Sequence, residues 1–211
     1  MCEGQQRTLY LFLALTGLRP SEALGLWWED HIDYENERIL VRQQLRDDGT
    51  IDERLKTPRS ERDVTIFEPV RLALSQIALQ NRLRSRFVFC NRKGGPLLQR
   101  TQGDDPWRRA IKRADLVYRT LYTLRHTYTF LMLSAGKPLP WVADQLGHVG
   151  VGKIDEVYGR WTKRMRHELV GEQLDLNQFF KSIRSLPARA TKVPQKLAQI
   201  GHKSLEDNHG L

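Results

Sequence analysis

The stretch Leu121-Tyr122-Thr123-Leu124-Arg125-His126-Thr127-Tyr128 decides how this chain is read. It opens a segment of helical character from Thr123 to Ala135, which Gly136 closes with Pro138 just beyond, residues that commonly stop a helix. Arg125 therefore falls in a first helical turn. Three other stretches carry related side chains: Thr16-Gly17-Leu18-Arg19-Pro20-Ser21-Glu22 upstream, Leu146-Gly147-His148 downstream, and Val157-Tyr158-Gly159-Arg160-Trp161 beyond it. Brought together, Arg19, Arg125, His148 and Tyr158 form a set able to hold a phosphodiester and to attack it.

Upstream of that stretch, Gln5 to Leu15 lacks Gly and Pro and is apolar nearly all round, so it reads as a buried helix that Gly17 ends. Pro20 suits the first turn of the next helix and Glu22 sits near its positive end, which puts Arg19 at a helix start. From Arg38 the pattern turns β-prone. Arg38–Arg42, a turn at Asp47-Asp48-Gly49-Thr50, Glu53–Thr57 and Arg62–Ile66 read as a three-stranded antiparallel meander. Lys56 ends its second strand, where a long side chain on a hairpin reaches a ligand; by residue type alone it is an exposed surface lysine.

Pro69–Asn81 places Val70, Leu72, Leu74, Ile77 and Ala78 at near-helical spacing. Phe87–Cys90 is a short apolar run before the turn residues Asn91-Arg92-Lys93-Gly94-Gly95-Pro96, and Pro106–Ala114 reads as a basic amphipathic helix. Pro140–Leu146 forms a short helix ended by Gly147, which leaves His148 on a connection. Tyr158 lies in a helical stretch from Lys153 to Arg164. Tyr10, Tyr34, Tyr118 and Tyr128 read as packing residues, His126 as a residue either buried or supporting the site from behind its neighbour Arg125, and Glu22 as structural, through the helix start and an ion pair. From Leu186 to Leu211 the composition is that of a mobile tail.

At 211 residues and 40% hydrophobic content the chain supports one well-cored domain, expected over residues 1–185. The most apolar early run, Leu9 to Leu15, is too short to span a bilayer and lacks the flanks of a signal peptide. Cys2 and Cys90 have no metal-ligand spacing and the six histidines are not paired as ligands, so neither a metal nor a cofactor is expected. The net charge is +9, and it is regional. Residues 82–125 hold 12 Lys/Arg against 3 Asp/Glu, whereas residues 1–81 hold 10 against 14. Such a cluster favours a polyanion, since each neutralised phosphate releases condensed counterions.

Taken together, these motifs resemble the tyrosine recombinases, or phage-type integrases, over residues 5–180. Thr16–Glu22 is similar to the segment around that family's first catalytic arginine, Leu55-Lys56-Thr57-Pro58-Arg59-Ser60-Glu61-Arg62-Asp63-Val64 to its hairpin lysine motif, and Leu124–Thr127 to its second arginine. Leu146–His148 and Val157–Trp161 are similar to its later histidine and its nucleophile. Five matches in order form a specific signal. Tyr122 departs from the pattern, standing where the family commonly has a histidine.

The resemblance implies an α+β fold, mainly helical with a small three-stranded antiparallel sheet. It implies metal-independent strand cleavage in which Arg19 and Arg125 neutralise the phosphate, Tyr158 is the nucleophile, Lys56 the general acid, and His148 a donor to a non-bridging oxygen. Tyr122, whose phenol is a poor base at neutral pH, would orient the phosphate. Expected partners are double-stranded DNA and further copies of the chain, a tetramer on DNA with residues 165–185 exchanged between neighbours. A cytoplasmic, nucleoid-associated protein of a phage or bacterial mobile element is expected. The resemblance implies that the family's usual N-terminal DNA-binding domain is expected to be absent from this chain. Two other functions stay open: a non-catalytic DNA-binding remnant, and relaxation of supercoils in the manner of a type IB topoisomerase.

Overall fold

A computed structural model describes residues 3–53, 60–98, 104–148, 152, 159 and 174–185. The long first helix, α1 (Glu3–Thr16), is the centre of the packing. Its apolar residues face almost every direction, so it is stable only when surrounded. Leu9, Phe12, Leu13 and Leu15 are each buried to 1% exposure or less. The helices α4 (Glu68–Arg82) and α6 (Thr123–Ser134) cover it from two sides. At its amino-terminal end the buried Gln5 is held at both ends of its amide: Nε2 donates to the Cys90 carbonyl at 2.9 Å, while Oε1 accepts from Asn81 and from the Cys90 backbone. Cys90 is buried and forms no disulfide.

Between α1 and α4 the described residues form α2 (Pro20–Gly25), the single-turn α3 (Trp28–His31) and five short strands. The strands β1 (Ile32–Asp33), β2 (Arg38–Val41) and β5 (Arg62–Thr65) make a three-stranded antiparallel sheet in the order β1-β2-β5. A separate hairpin pairs β3 (Gln44–Leu45) with β4 (Ile51–Asp52) around Gly49. The mainly helical fold with a small antiparallel sheet is as the sequence implies, but the meander is corrected. Val41 pairs directly with Arg62, so no strand separates β2 from β5, and the expected second strand Glu53–Thr57 lies, apart from Glu53, outside the described residues. The third strand is Ile32–Asp33, two residues that show no alternation to read.

The register of β2 on β5 turns Ile39, Val41 and Val64 into the core at 0% exposure. By the same period-two alternation Arg62 points inward beside Val64. A buried guanidinium has to be paired, and its partner defines the site described below.

Beyond α4, the backbone of Trp28 and Val88 knits two connections together through Arg86 and Leu26. The helix α5 (Asp104–Arg113) buries Trp107 and Ile111, with Trp107 donating to the Arg119 carbonyl at 2.8 Å and meeting Tyr10 edge-on. Arg108, Arg109, Lys112 and Arg113 form its exposed face. Tyr118 is 40% exposed beneath the Arg108 guanidinium, a correction to its reading as a packing residue.

Helix α7 (Leu139–Leu146) follows, and α8 (Leu176–Ser185) rests on the same chain, Phe180 packing against Phe67 at 5.5 Å between centroids. Among the described residues no helix is long and apolar enough to cross a membrane.

Candidate active site

Three chain ends meet at the carboxyl end of α1. Gly17, at φ +66°, turns the chain sharply from α1 toward α2. Arg125, in the first turn of α6, is 3% exposed and fills the space behind this turn. One terminal nitrogen donates to the Gly17 carbonyl at 2.7 Å and the other to the Leu146 carbonyl at 2.5 Å, so a single planar fork joins the α1–α2 turn to the end of α7. Burial first, then the neighbouring Arg19 and Arg62, lower its pKa to about 10, which leaves it charged at neutral pH.

Arg19 precedes α2 and is 35% exposed at its side chain. Its backbone N–H donates to Glu22 at 2.8 Å and its guanidinium to the same carboxylate at 2.6 Å, one half of a capping box closed by an ion pair. His148 is placed by the end of α7. Gly147 adopts φ +66°, its N–H donates to Asp144, and the His148 N–H donates to Ala143 at 3.0 Å. These two bonds form a Schellman turn, which ends the helix at Leu146, whose carbonyl Arg125 holds, and sets His148 two residues beyond it.

Tyr122 immediately precedes α6, is 41% exposed, and stands edge-on to His126 at 5.6 Å. His126 is exposed, which leaves it the supporting place and not the buried one, because one residue along α6 turns it about 100° away from Arg125. Partial desolvation, then the Arg125 charge, lower its pKa. The structure thus gathers Arg19, Tyr122, Arg125 and His148 around one joint. Lys56 and Tyr158 lie outside the described residues, as do residues 165–173 and 186–211.

Sequence reading gave Glu22 a structural role at the helix start with an ion pair, but missed Arg62 and Gln145 beneath this joint. Glu22 is 1% exposed and its carboxylate receives Arg62 bidentately, at 3.1 and 2.8 Å, in addition to Arg19. Arg62 donates further to the carbonyls of Ser60 and Gln145. The Gln145 side chain accepts from the Thr65 N–H at 2.9 Å and donates to the Asp63 carbonyl at 3.3 Å, so α7 is stitched to the edge of β5. The available signals were slight: a charged residue in phase with Val64 on a strand, and a polar residue in phase with Val142 on a helix.

Burial alone would raise the Glu22 pKa, but hydrogen bonding and charge from Arg62, with Arg19 behind, bring it down to about 2. A carboxylate depressed from its ordinary 4.5 stabilises the fold fully above that value and ceases to do so as pH falls toward 2. Between pH 7 and pH 3 the loss through this one group is about 2 kcal/mol. Urea unfolding at the two pH values should show that much less acid sensitivity in Glu22→Gln than in wild type; equal sensitivity would refute the assignment.

Tyr128 is fully buried under the same turn, and its hydroxyl has no hydrogen-bond partner among the described residues. Burial pushes its pKa well up, against the opposing charges of Arg62 and Arg125. Since the hydroxyl is desolvated without a bond in return, Tyr128→Phe should gain about 1 kcal/mol in urea unfolding. A loss of that size would reveal a partner for it.

Residues 2–164 match the family model described as phage integrase family. The chain is 31% identical over 194 residues to the prophage integrase IntR of Escherichia coli (strain K12), covering 80% of this chain and 46% of that protein. It is 26% identical over 181 residues to a XerC-like tyrosine recombinase of Caldanaerobacter subterraneus subsp. tengcongensis, covering 72% and 44% respectively. The chain therefore spans somewhat less than half the length of these curated relatives.

Among solved structures, the Tn1549 transposon integrase in complex with circular intermediate DNA superposes with a TM-score of 0.62 at 25% identity, over 71% of this chain and 53% of that one. The XerH site-specific recombinase bound to its difH substrate shares the fold, with a TM-score of 0.61 at 23% identity over 78% and 44%. With its mainly helical fold, its small antiparallel sheet and a family match covering most of its length, the chain belongs to the phage integrase family.

Proposed function

We propose that this chain is the catalytic part of a site-specific DNA recombinase that cuts and rejoins strands through a 3′-phosphotyrosyl intermediate. The observation that carries the reading is the joint itself: Arg125, charged and fixed by two backbone carbonyls, beside the partly exposed Arg19 and the loop-borne His148. Guanidinium groups held in this way stabilise charge on the non-bridging oxygens of a pentacoordinate phosphorane without having to reorganise.

In the proposed reaction the Tyr158 phenolic oxygen attacks phosphorus and its proton passes to solvent. The bond from phosphorus to the 5′ oxygen breaks, and Lys56 delivers the proton that makes the leaving group a hydroxyl. The ester keeps the bond energy, so an incoming 5′ hydroxyl reverses the step on the other strand. His148 and Tyr122 donate hydrogen bonds to the phosphate. Duplex DNA runs along the exposed Arg108, Arg109, Lys112 and Arg113 of α5, and the working assembly is a tetramer on two sites in which residues 165–185 pass between neighbours.

Nicked duplexes made from the flanks of the gene, in which the cleaved fragment diffuses away, test the chemistry. Wild-type protein should form an adduct that survives denaturation, and Tyr158→Phe should form none. Adduct in Tyr158→Phe would move the nucleophile elsewhere. Salt-sensitive binding with no adduct in either protein would leave a DNA-binding protein without strand transfer.

A further inference from the structure

Resting on that reading, we propose that Arg62 is a positioning residue whose task is to occupy the Glu22 carboxylate so that the Arg19 guanidinium stays available to the phosphate. The argument is one of donors and acceptors. Glu22 accepts four hydrogen bonds, two from Arg19 and two from Arg62, which fills the lone pairs of both oxygens. Arg62 uses four of its five N–H groups on Glu22, Ser60 and Gln145 and is 6% exposed at its side chain, so it keeps a single N–H and no access with which to bind substrate. Arg19, by contrast, gives one guanidinium contact to Glu22 and keeps a third of its side chain exposed beside the buried Arg125.

Charge decides the consequence. Glu22 brings one negative charge into a site where Arg19, Arg62 and Arg125 bring three positive ones. With Arg62 in place, the carboxylate is neutralised from below by a bidentate pair, and its contact with Arg19 orients without cancelling. Without Arg62, a fully buried carboxylate has Arg19 as its remaining direct cationic partner and draws that guanidinium down onto itself. Gln145 belongs to the same device. Its backbone carbonyl accepts from the Arg62 Nε–H at 2.8 Å and its side-chain amide ties β5 to α7, so one residue fixes both Arg62 and the helix leading to His148.

A purely structural ion pair makes a different prediction from a positioning one, and a double variant separates them. Arg62→Gln should lower single-turnover adduct formation at saturating DNA by about 10²-fold, the scale of losing one oriented charge donor. Removing the second charge as well, in Arg62→Gln/Glu22→Gln, should restore at least tenfold of that loss, because nothing then competes for Arg19. Rates are normalised to the folded fraction from circular dichroism, and the double variant, with no orphaned buried charge, guards against simple unfolding of the single one.

The salt dependence of duplex binding, measured by fluorescence anisotropy, supplies a readout independent of catalysis. Its slope should fall by about 0.9, one phosphate contact, in Arg62→Gln and return in the double variant. A double variant no faster than the single one, or a slope unchanged in Arg62→Gln, overturns the proposal. If wild type forms no adduct, the recombinase reading fails, and the slope alone decides whether Arg62 keeps Arg19 free for phosphate.

Discussion

Arg125→Gln is expected to lose strand cleavage by about 10³-fold, the upper range for removing one preorganised donor to a developing oxyanion. The size follows from Arg125 doing two things with one side chain. Its buried guanidinium supplies positive charge in a poorly solvated position, where charge acts most strongly. It also clamps Gly17 to Leu146, the two carbonyls that set where Arg19 and His148 begin. Gln spans neither distance and carries no charge, so unfolding should become easier by about 3 kcal/mol as buried carbonyls lose their partner.

Arg125→Lys separates the two contributions. It returns the charge but offers a single compact ammonium, which cannot reach both carbonyls in the fixed fork of a guanidinium. Lysine should therefore recover no more than about tenfold of the lost rate, an outcome consistent with geometry and charge acting together. Suicide-substrate assays run well below the unfolding temperature of each variant measure both. If Arg125→Gln were folded and cleaved within tenfold of wild type, the joint would not be the reaction centre.

Much of this arrangement was legible before any coordinates, and the reason lies in where the signals sit. Helix ends are announced by residues that satisfy local backbone rules: Gly17, Pro20, Gly136, Pro138 and Gly147 each mark a boundary the structure keeps within a residue or two. Because Arg19, Arg125 and His148 stand beside those boundaries, reading the caps placed the candidate residues on the correct elements. The sheet was less legible. Strands of two residues, such as Ile32–Asp33 and Gln44–Leu45, are too short for alternation, and the pairing of Val41 with Arg62 joins segments 21 residues apart in sequence.

The supporting network was hidden for a further reason. Arg62, Glu22 and Gln145 are polar residues in buried positions, and residue type alone sends each of them to the surface. Only the distances show that Arg62 satisfies both the Glu22 carboxylate and the Gln145 backbone carbonyl. Tyr118 misled in the opposite sense: an aromatic side chain beside a core helix looks buried, yet it lies at the rim under Arg108, and of the two places open to His126 the structure takes the exposed one, against Tyr122.

Gly17→Ala should be the most destabilising single-methyl change at the site. Two costs add. A non-glycine residue at φ +66° pays roughly 1 kcal/mol in backbone strain. A Cβ there would lie 2.5 Å from Tyr128 Cδ1 and 2.9 Å from Leu146 Cδ2, and those side chains are 0% and 1% exposed, so neither has room to withdraw. Overpacking of that kind costs a further 1–3 kcal/mol or so. The sum, about 3 kcal/mol, corresponds to a fall in melting temperature of roughly 10 °C for a chain of this size.

Gly49 provides the internal comparison. It too has a positive φ, +87°, but its closest added contact is a flexible Leu98 methyl at 3.3 Å, so Gly49→Ala should lose only the backbone share, about 1 kcal/mol. The two variants also part in function. The Gly17 carbonyl is one of the two anchors of Arg125, and a turn displaced by even a few tenths of an ångström moves that guanidinium relative to Arg19. Gly17→Ala should therefore cleave more slowly per folded molecule, whereas Gly49→Ala should cleave at the wild-type rate. Equal melting temperatures for the two variants, or a normal rate per folded molecule in Gly17→Ala, would mean that the turn does not set the position of Arg125.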